Sequence, residues 1–228
     1  ASADRPTIRK VLIGMNVKLL WATPDTDKQV AFMARVSNPN NQSNEAISGL
    51  LNFCMREGHV SPFEMASVCL EINTTRDIGR QILRHRSFSF QEFSQRYAST
   101  DVLHLAELRE CRIQDKVNRQ NSLPNTDQML GFWWAEAQEQ VEELASDLYK
   151  TALAKGIAKE QARALLPEGL TTSRMYMNGT LRSWIHYLKS RLDPSTQKEH
   201  RFIAQEALMV IREVAPITME AFFPKEKE

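Results

Sequence analysis

Arg76, Arg80 and Arg84 are spaced four apart, so a helix through them stacks three guanidinium groups on one face with Gln81 beside them. Like charges at this spacing repel by a few tenths of a kcal/mol per pair, on the order of 0.2–0.5, so acidic partners or a bound anion must compensate. Arg86 and Arg96 add two cations, and Ser87, Ser89, Ser94 and Glu92 are interleaved among them. This mixture suits a phosphate joined to a polar heterocycle. Arginine offers forked donors to phosphate oxygens, serine adds a neutral donor, and glutamate accepts from an imide or amide N–H. A solvated basic helix held by salt bridges is the competing reading of the same spacing. His85 lies between two arginines, where positive charge favours its neutral form. Such an imidazole both donates and accepts, toward a cofactor edge or as a purely structural hydrogen-bonder. His59 begins the loop HVSPFE (residues 59–64), where Pro62 stiffens the backbone and Ser61 presents a hydroxyl. A third group comprises Arg163, Arg174, Arg182, His186 and Arg191, the last three at helical offsets that share a broad face. No Walker loop, GxGxxG fingerprint, HExxH or paired CxxC occurs, so a P-loop site, a Rossmann site and a catalytic zinc lack their usual signals.

The elements that position these residues follow from apolar spacing. Residues 17–22 (VKLLWA) form a compact apolar run that reads as a strand ended by Thr23 and Pro24. A helix capped by Asp25 or Thr26 follows, with Val30, Met33 and Ala34 at helical spacing. Beyond an Asn-rich loop, Asn44 is placed to cap a helix that runs through Glu57 to Gly58. HVSPFE is then a loop, residues 65–72 a strand and residues 76–85 the arginine helix. Residues 126–156 carry Leu130, Trp133, Trp134, Ala137, Val141, Leu144, Ala145 and Leu148 as a long amphipathic helix, bounded by a capping Thr126 and a terminal Gly156. The two tryptophans read as core rather than as a flavin platform. A short helix around Gln161 stops at Pro167, residues 170–177 form a strand, and helices cover 180–190 and 197–214. The expectation is a single α+β domain over 1–228, with an antiparallel-type sheet and 1–16 a flexible or non-native start.

Composition agrees with a globular protein. Hydrophobic residues make up 42% of the 228, and 29 basic against 28 acidic side chains leave a formal charge of +1. Nothing in that balance suggests a nucleic-acid or membrane-surface protein. Cys54, Cys69 and Cys111 fit neither a disulfide framework nor a zinc spacing, and read as reduced thiols of a cytoplasmic protein. No apolar run approaches the roughly 18 residues of a membrane span, and the first residues lack the apolar region of a signal peptide.

The segment RHRSFSFQEFSQRY (84–97) resembles the signature of the flavin-dependent thymidylate synthases, in which Arg-His-Arg is followed by a serine, here Ser94. HVSPFE is similar to the family's HxSPFE loop and ARALLP (162–167) to its ARxxLP segment. LRSWIHYLKSRLDPSTQ (181–197) resembles its C-terminal block with paired arginines. Three positions depart from the pattern: Met65 where histidine is common, Gln91 where asparagine often precedes the glutamate, and Ser195 where many relatives have histidine.

The resemblance implies a mixed α/β fold and a homotetramer with shared active sites. It implies reductive methylation of deoxyuridylate (dUMP) to thymidylate (dTMP), with methylenetetrahydrofolate as carbon donor, NADPH as reductant and FAD as hydride carrier. Gln81, Arg84, Glu92, Ser94, Gln95, Arg96 and Arg163 would surround dUMP, with Arg191 near the pyrimidine favouring ionisation at N3. Ser61, Arg84, His85, Arg86, Glu92, Thr180, Arg182 and His186 would contact FAD, with His59 in the folate and flavin vicinity and no metal. Ser94 admits a nucleophile reading, but without a signature for an activating base it is more simply a donor to substrate. Two other readings compete. A non-catalytic anion or nucleic-acid-binding module would use the arginine face alone, with affinity falling steeply with salt. A cysteine-dependent synthase would need a thiolate within an arginine-rich segment, and no cysteine here has one.

Overall fold

A computed structural model of the protein describes residues 15–96 and 108–225. The expectation for residues 1–16 therefore lies outside the described residues but for its last two, and Tyr97 of the signature lies outside them as well. Four strands form an antiparallel sheet in the order β1 (Asn16–Ala22), β2 (Ser67–Thr75), β6 (Thr172–Thr180), β3 (Ser89–Glu92). The edge strand β1 and the two central strands are the ones whose apolar residues are plain in sequence. In β6 Ser173, Met175, Met177 and Gly179 are buried while Arg174 and Tyr176 face outward, the two-residue alternation of a half-covered sheet. A second pair, β4 (Arg112–Gln114) with β5 (Ser122–Pro124), was not anticipated.

Helices α1 (Thr26–Ala34), α2 (Ser48–Arg56), α3 (Arg76–Ile82), α6 (Leu181–Arg191), α7 (Lys198–Val214) and α8 (Pro216–Phe222) contribute to one core with the sheet. Val68, Leu70, Ile72, Met175 and Met177 of the strands meet Ile78, Leu181, Trp184, Ile203 and Ile211 of the helices there. Burial at this scale contributes about 1.5–3 kcal/mol per large apolar side chain. Trp184 adds direction to the packing, since its Nε1 donates to Val68 O at 3.0 Å and pins α6 to β2.

Several expected boundaries move. Asn44 does not cap α2; its Oδ1 accepts from Ala46 N at 2.8 Å in a local turn, and the helix starts at Ser48. Asp25 stands at the cap position of α1 with a left-handed backbone and no side-chain cap bond. The long helix α4 (Gln128–Ala154) is capped by Asp127, not Thr126, with Asp127 Oδ1 accepting from Met129 N and Leu130 N. Its tryptophans are not core: Trp133 is 59% exposed, and Trp134 donates to Arg109 O. The short helix α5 (Lys159–Ala162) packs on α4 through a small cluster of Tyr149, Ala152 and Ala162. Helix α8 was not expected at all. Its cap comes from across the chain, where the buried Asp27 carboxylate accepts from Ile217 N at 2.7 Å and Thr218 N at 3.2 Å.

Candidate active site

The arginine helix ends earlier than its spacing suggested. Because α3 stops at Ile82, Arg84 falls in the turn that follows, and the three-arginine face is broken. Glu168 takes up the other two guanidiniums, Arg76 Nε at 3.3 Å and Arg80 Nε at 3.0 Å, and they hold its carboxyl below the usual carboxylate range. Those two cations are structurally compensated. Arg84 and Arg86 remain exposed.

Past the turn the chain becomes β3, which pairs with β6 so that Phe90 lies opposite Met177 and Glu92 opposite Met175. Glu92 accepts from Ser173 Oγ at 2.8 Å. Two glycines permit the closeness of these elements. A Cβ on Gly79 would stand 3.0 Å from Met175 Cε, and one on Gly179 would stand 2.4 Å from the Phe88 ring. Ser94 is half-buried, its Oγ 3.4 Å from Arg96 N, and Gln95 is buried with its Nε2 unpaired. Arg96 lies 3.8 Å from Glu160, and Arg163 Nε donates to the carbonyl of that same Glu160 at 3.2 Å. The structure thus brings Arg163 to the end of the signature.

The third group separates. Arg174 points to the outer face of the sheet, where it donates to Asn73 Oδ1 at 3.1 Å, away from its expected companions. Arg182 and His186 line a cavity of about 630 Å³ together with Val60, Glu64, Ser87, Thr180, Ser183, Ile185 and Lys189. Arg182 pairs with Glu64 of the HVSPFE segment, which is a short 3-10 turn rather than a plain loop. Thr180 caps α6, accepting from Ser183 N at 3.2 Å, so the positive end of the helix opens on the cavity. Ser61 is exposed in the same turn, as is His59, whose ring meets Phe53 edge-on. Met65 is exposed, Gln91 is exposed on β3, and Ser195 is held in a turn by Asp193.

Arg191 turns to the other side of α6. Its Nε donates to His85 Nε2 at 2.9 Å. Since arginine cannot give up its proton, Nε2 must be bare and Nδ1 carries the hydrogen. Burial, then the charges of Arg191 and His186, push His85 down to about 4, so the neutral form expected from sequence is reinforced mainly by desolvation and not by its two flanking arginines.

Residues not singled out in sequence complete the surroundings. Tyr187 packs edge-on to His85 and contacts His200, both fully buried, and His200 reaches Gln81. Gln197 and Glu199 join Gln81 to Arg112 and Arg109. The only sequence signal for His200 is its place three residues after Gln197 at the start of α7, where both face α3. Burial raises the thiols of Cys54 and Cys69, which suits inert core cysteines. Among the described residues no group of three or more His, Cys, Asp or Glu is placed to hold a metal ion, and no helix is long and apolar enough to cross a membrane.

A mixed helix and antiparallel-sheet fold thus carries a cavity lined by Arg182, His186 and Lys189 and, apart from that lining, a neutral His85 paired with Arg191. The family described as Thymidylate synthase complementing protein matches residues 18–217, and the chain belongs to it. It is 52% identical over 192 residues to a flavin-dependent thymidylate synthase of Synechocystis sp., covering 84% of this chain and 87% of the relative. It is 47% identical over 190 residues to a probable flavin-dependent thymidylate synthase of Paramecium bursaria Chlorella virus 1, covering 83% and 87%. Among solved structures, a UMP/dUMP methylase PolB from Streptomyces cacaoi bound with 5-Br dUMP is similar with a TM-score of 0.78 and 26% identity, covering 91% of this chain and 94% of that one.

Proposed function

We propose that this protein is a flavin-dependent thymidylate synthase, an enzyme that methylates dUMP to dTMP. The observation that carries the reading is the Arg191–His85 pair, which joins the arginine-rich signature segment to α6, the helix whose Arg182 and His186 line the cavity. Family membership across residues 18–217 supports the same conclusion.

The cavity suits FAD on its donor set. Arg182, Lys189 and the capped N-terminus of α6 favour a pyrophosphate, Ser87 and Ser183 offer hydroxyls, and Val60 and Ile185 provide an apolar wall for a ring. The same reading assigns Ser61, Arg84, His85, Arg86, Glu92, Thr180, Arg182 and His186 to FAD, of which Thr180, Arg182 and His186 line the cavity, and His59 to the folate and flavin vicinity. When bound, the flavin supplies hydride chemistry that no side chain can. The chain's own residues then have positioning and electrostatic roles. Gln81, Arg84, Glu92, Ser94, Gln95, Arg96 and Arg163 hold the nucleotide, Ser94 acting as a donor. Arg191 stays cationic beside the pyrimidine and lowers the cost of ionising N3, which makes C5 nucleophilic. The balanced reaction joins dUMP, methylenetetrahydrofolate, NADPH and a proton to give dTMP, tetrahydrofolate and NADP.

Oligomerisation belongs to the same reading. Met129, Phe132 and Trp133 on α4 are 75%, 70% and 59% exposed, and Val141, Leu144 and Leu148 extend the apolar surface along the helix. A stripe of this kind suits burial against other copies in a homotetramer. A cytoplasmic location fits the reduced cysteines.

The test is the visible spectrum of the purified protein, taken anaerobically as NADPH and then dUMP are added. Flavin absorption that bleaches with NADPH, faster once dUMP is present, is the expected result. A colourless protein that takes up no added FAD and shows no such bleaching overturns the proposal and favours the binding-module alternative.

A further inference from the structure

A hydrogen-bonded chain joins α6, α7 and α3, and its direction is fixed from one end. Glu199 is buried, and Arg112 holds it at 2.7 and 2.9 Å with Arg109 at 3.5 Å. These arginines outweigh its desolvation and keep its carboxyl below the usual range, so Glu199 can only accept. Gln197 Nε2 therefore donates to Glu199 Oε2 at 3.0 Å, which turns the Gln197 carbonyl toward Gln81. Gln81 Nε2 must then donate to Gln197 Oε1, at 2.8 Å, and the Gln81 carbonyl is left facing His200 Nδ1 at 3.2 Å. An acceptor there requires the hydrogen of His200 on Nδ1, and the bare Nε2 accepts the Tyr187 hydroxyl at 3.2 Å. His200 is 0% exposed, so neither nitrogen has water as an alternative partner.

We propose that His200 is a positioning residue for the nucleotide site: its Nδ1–H holds the Gln81 carbonyl while Gln197 holds the first Nε2 hydrogen, and this two-point hold fixes the amide plane so that the second Nε2 hydrogen is presented to a bound nucleotide. Gln81 then reads an acceptor oxygen, a uracil carbonyl or a phosphate oxygen, and not the N3–H. The inference rests on the proposed reading of Gln81 as a dUMP contact. Without the imidazole donor only the Gln197 hold remains, so the amide plane can turn about that one hydrogen bond and the second Nε2 hydrogen is no longer aimed at the nucleotide.

Two substitutions separate this role from simple packing. In His200→Asn the amide nitrogen can take the place of Nδ1 and keep the Gln81 carbonyl occupied; in His200→Gln the nitrogen reaches the Nε2 position and serves Tyr187 instead. Titration of dUMP into the flavin-loaded protein is expected to give a Kd within about threefold of wild type for His200→Asn and about tenfold weaker for His200→Gln, the size of one lost hydrogen bond. In a Gln81→Ala background the two substitutions are expected to give equal affinities. Equal affinities in the Gln81 protein, or the same difference with Gln81 removed, overturn the inference. Neutron crystallography of the wild-type protein gives a readout independent of the variants: hydrogen on His200 Nδ1 agrees, and hydrogen on Nε2 alone overturns it. A wild-type protein that fails to bind dUMP refutes the functional reading itself, whereas one that binds it with indifferent variants refutes only the role of His200.

Discussion

Lowering the pH from 7 to 5 tests the buried imidazole of His200 through stability. Burial, then the charges of Arg191 and His85, lower its pKa from 6.5 to about 3. The folded value lies below the unfolded one, so as pH falls the unfolded chain takes up the proton first. Stability from the neutral imidazole is therefore complete above about pH 7 and is lost progressively between 6.5 and about 3. At pH 5 the unfolded imidazole is almost fully protonated and the folded one almost bare, which costs about 2 kcal/mol at ~1.4 kcal/mol per pKa unit. Urea unfolding of wild type and His200→Asn at both pH values isolates the contribution, because the carboxylates and His85 are common to the two proteins. Wild type is expected to lose about 2 kcal/mol more than the variant between pH 7 and 5. Equal losses would refute the reasoning, since His200 would then titrate alike in the folded and unfolded chains.

Other perturbations follow from single contacts. Gly179→Val drives a side chain into the Phe88 ring beside Ser87, so thermal melts are expected to show a loss of about 1–3 kcal/mol, and the purified protein less bound flavin. Asp27→Ala removes the cap of α8 and leaves two backbone N–H groups with poorer partners. Denaturant unfolding is expected to register a loss of about 3 kcal/mol with the flavin spectrum unchanged at low denaturant. Arg182→Ala breaks an exposed pair with Glu64, so its unfolding free energy is expected to stay within about 1 kcal/mol of wild type, while FAD titration gives about tenfold weaker binding.

What was legible in sequence depended on whether the signal was local. The strands β2 and β6 carry their own apolar residues, and α6 and α7 begin where Thr180 and Gln197 were expected to start them. β3 has one strongly apolar residue, Phe90, and becomes a strand because β6 offers it a free edge. The short helix α8 draws its cap from Asp27, almost the length of the chain away, so no spacing near Pro216 announces it. The stripe on α4 was plainly periodic, yet periodicity reports an apolar face and not what covers it, and Trp133 is exposed within one chain. The site followed the same rule. The spacing of Arg76 and Arg80 called for an acidic partner or a bound anion, and Glu168 is that partner, reaching them from a distant turn that no local spacing indicates. His200 and Tyr187 were overlooked because their importance lies in contacts with α3 that only the folded chain makes.

The most direct measurement is turnover with dUMP, methylenetetrahydrofolate and NADPH, following the nucleotide and the folate products separately. The account predicts dTMP formed in step with NADPH consumption, tetrahydrofolate as the folate product, and loss of turnover in Arg191→Ala with the fold retained. Dihydrofolate as the folate product, or dTMP formed without flavin or NADPH, would contradict it.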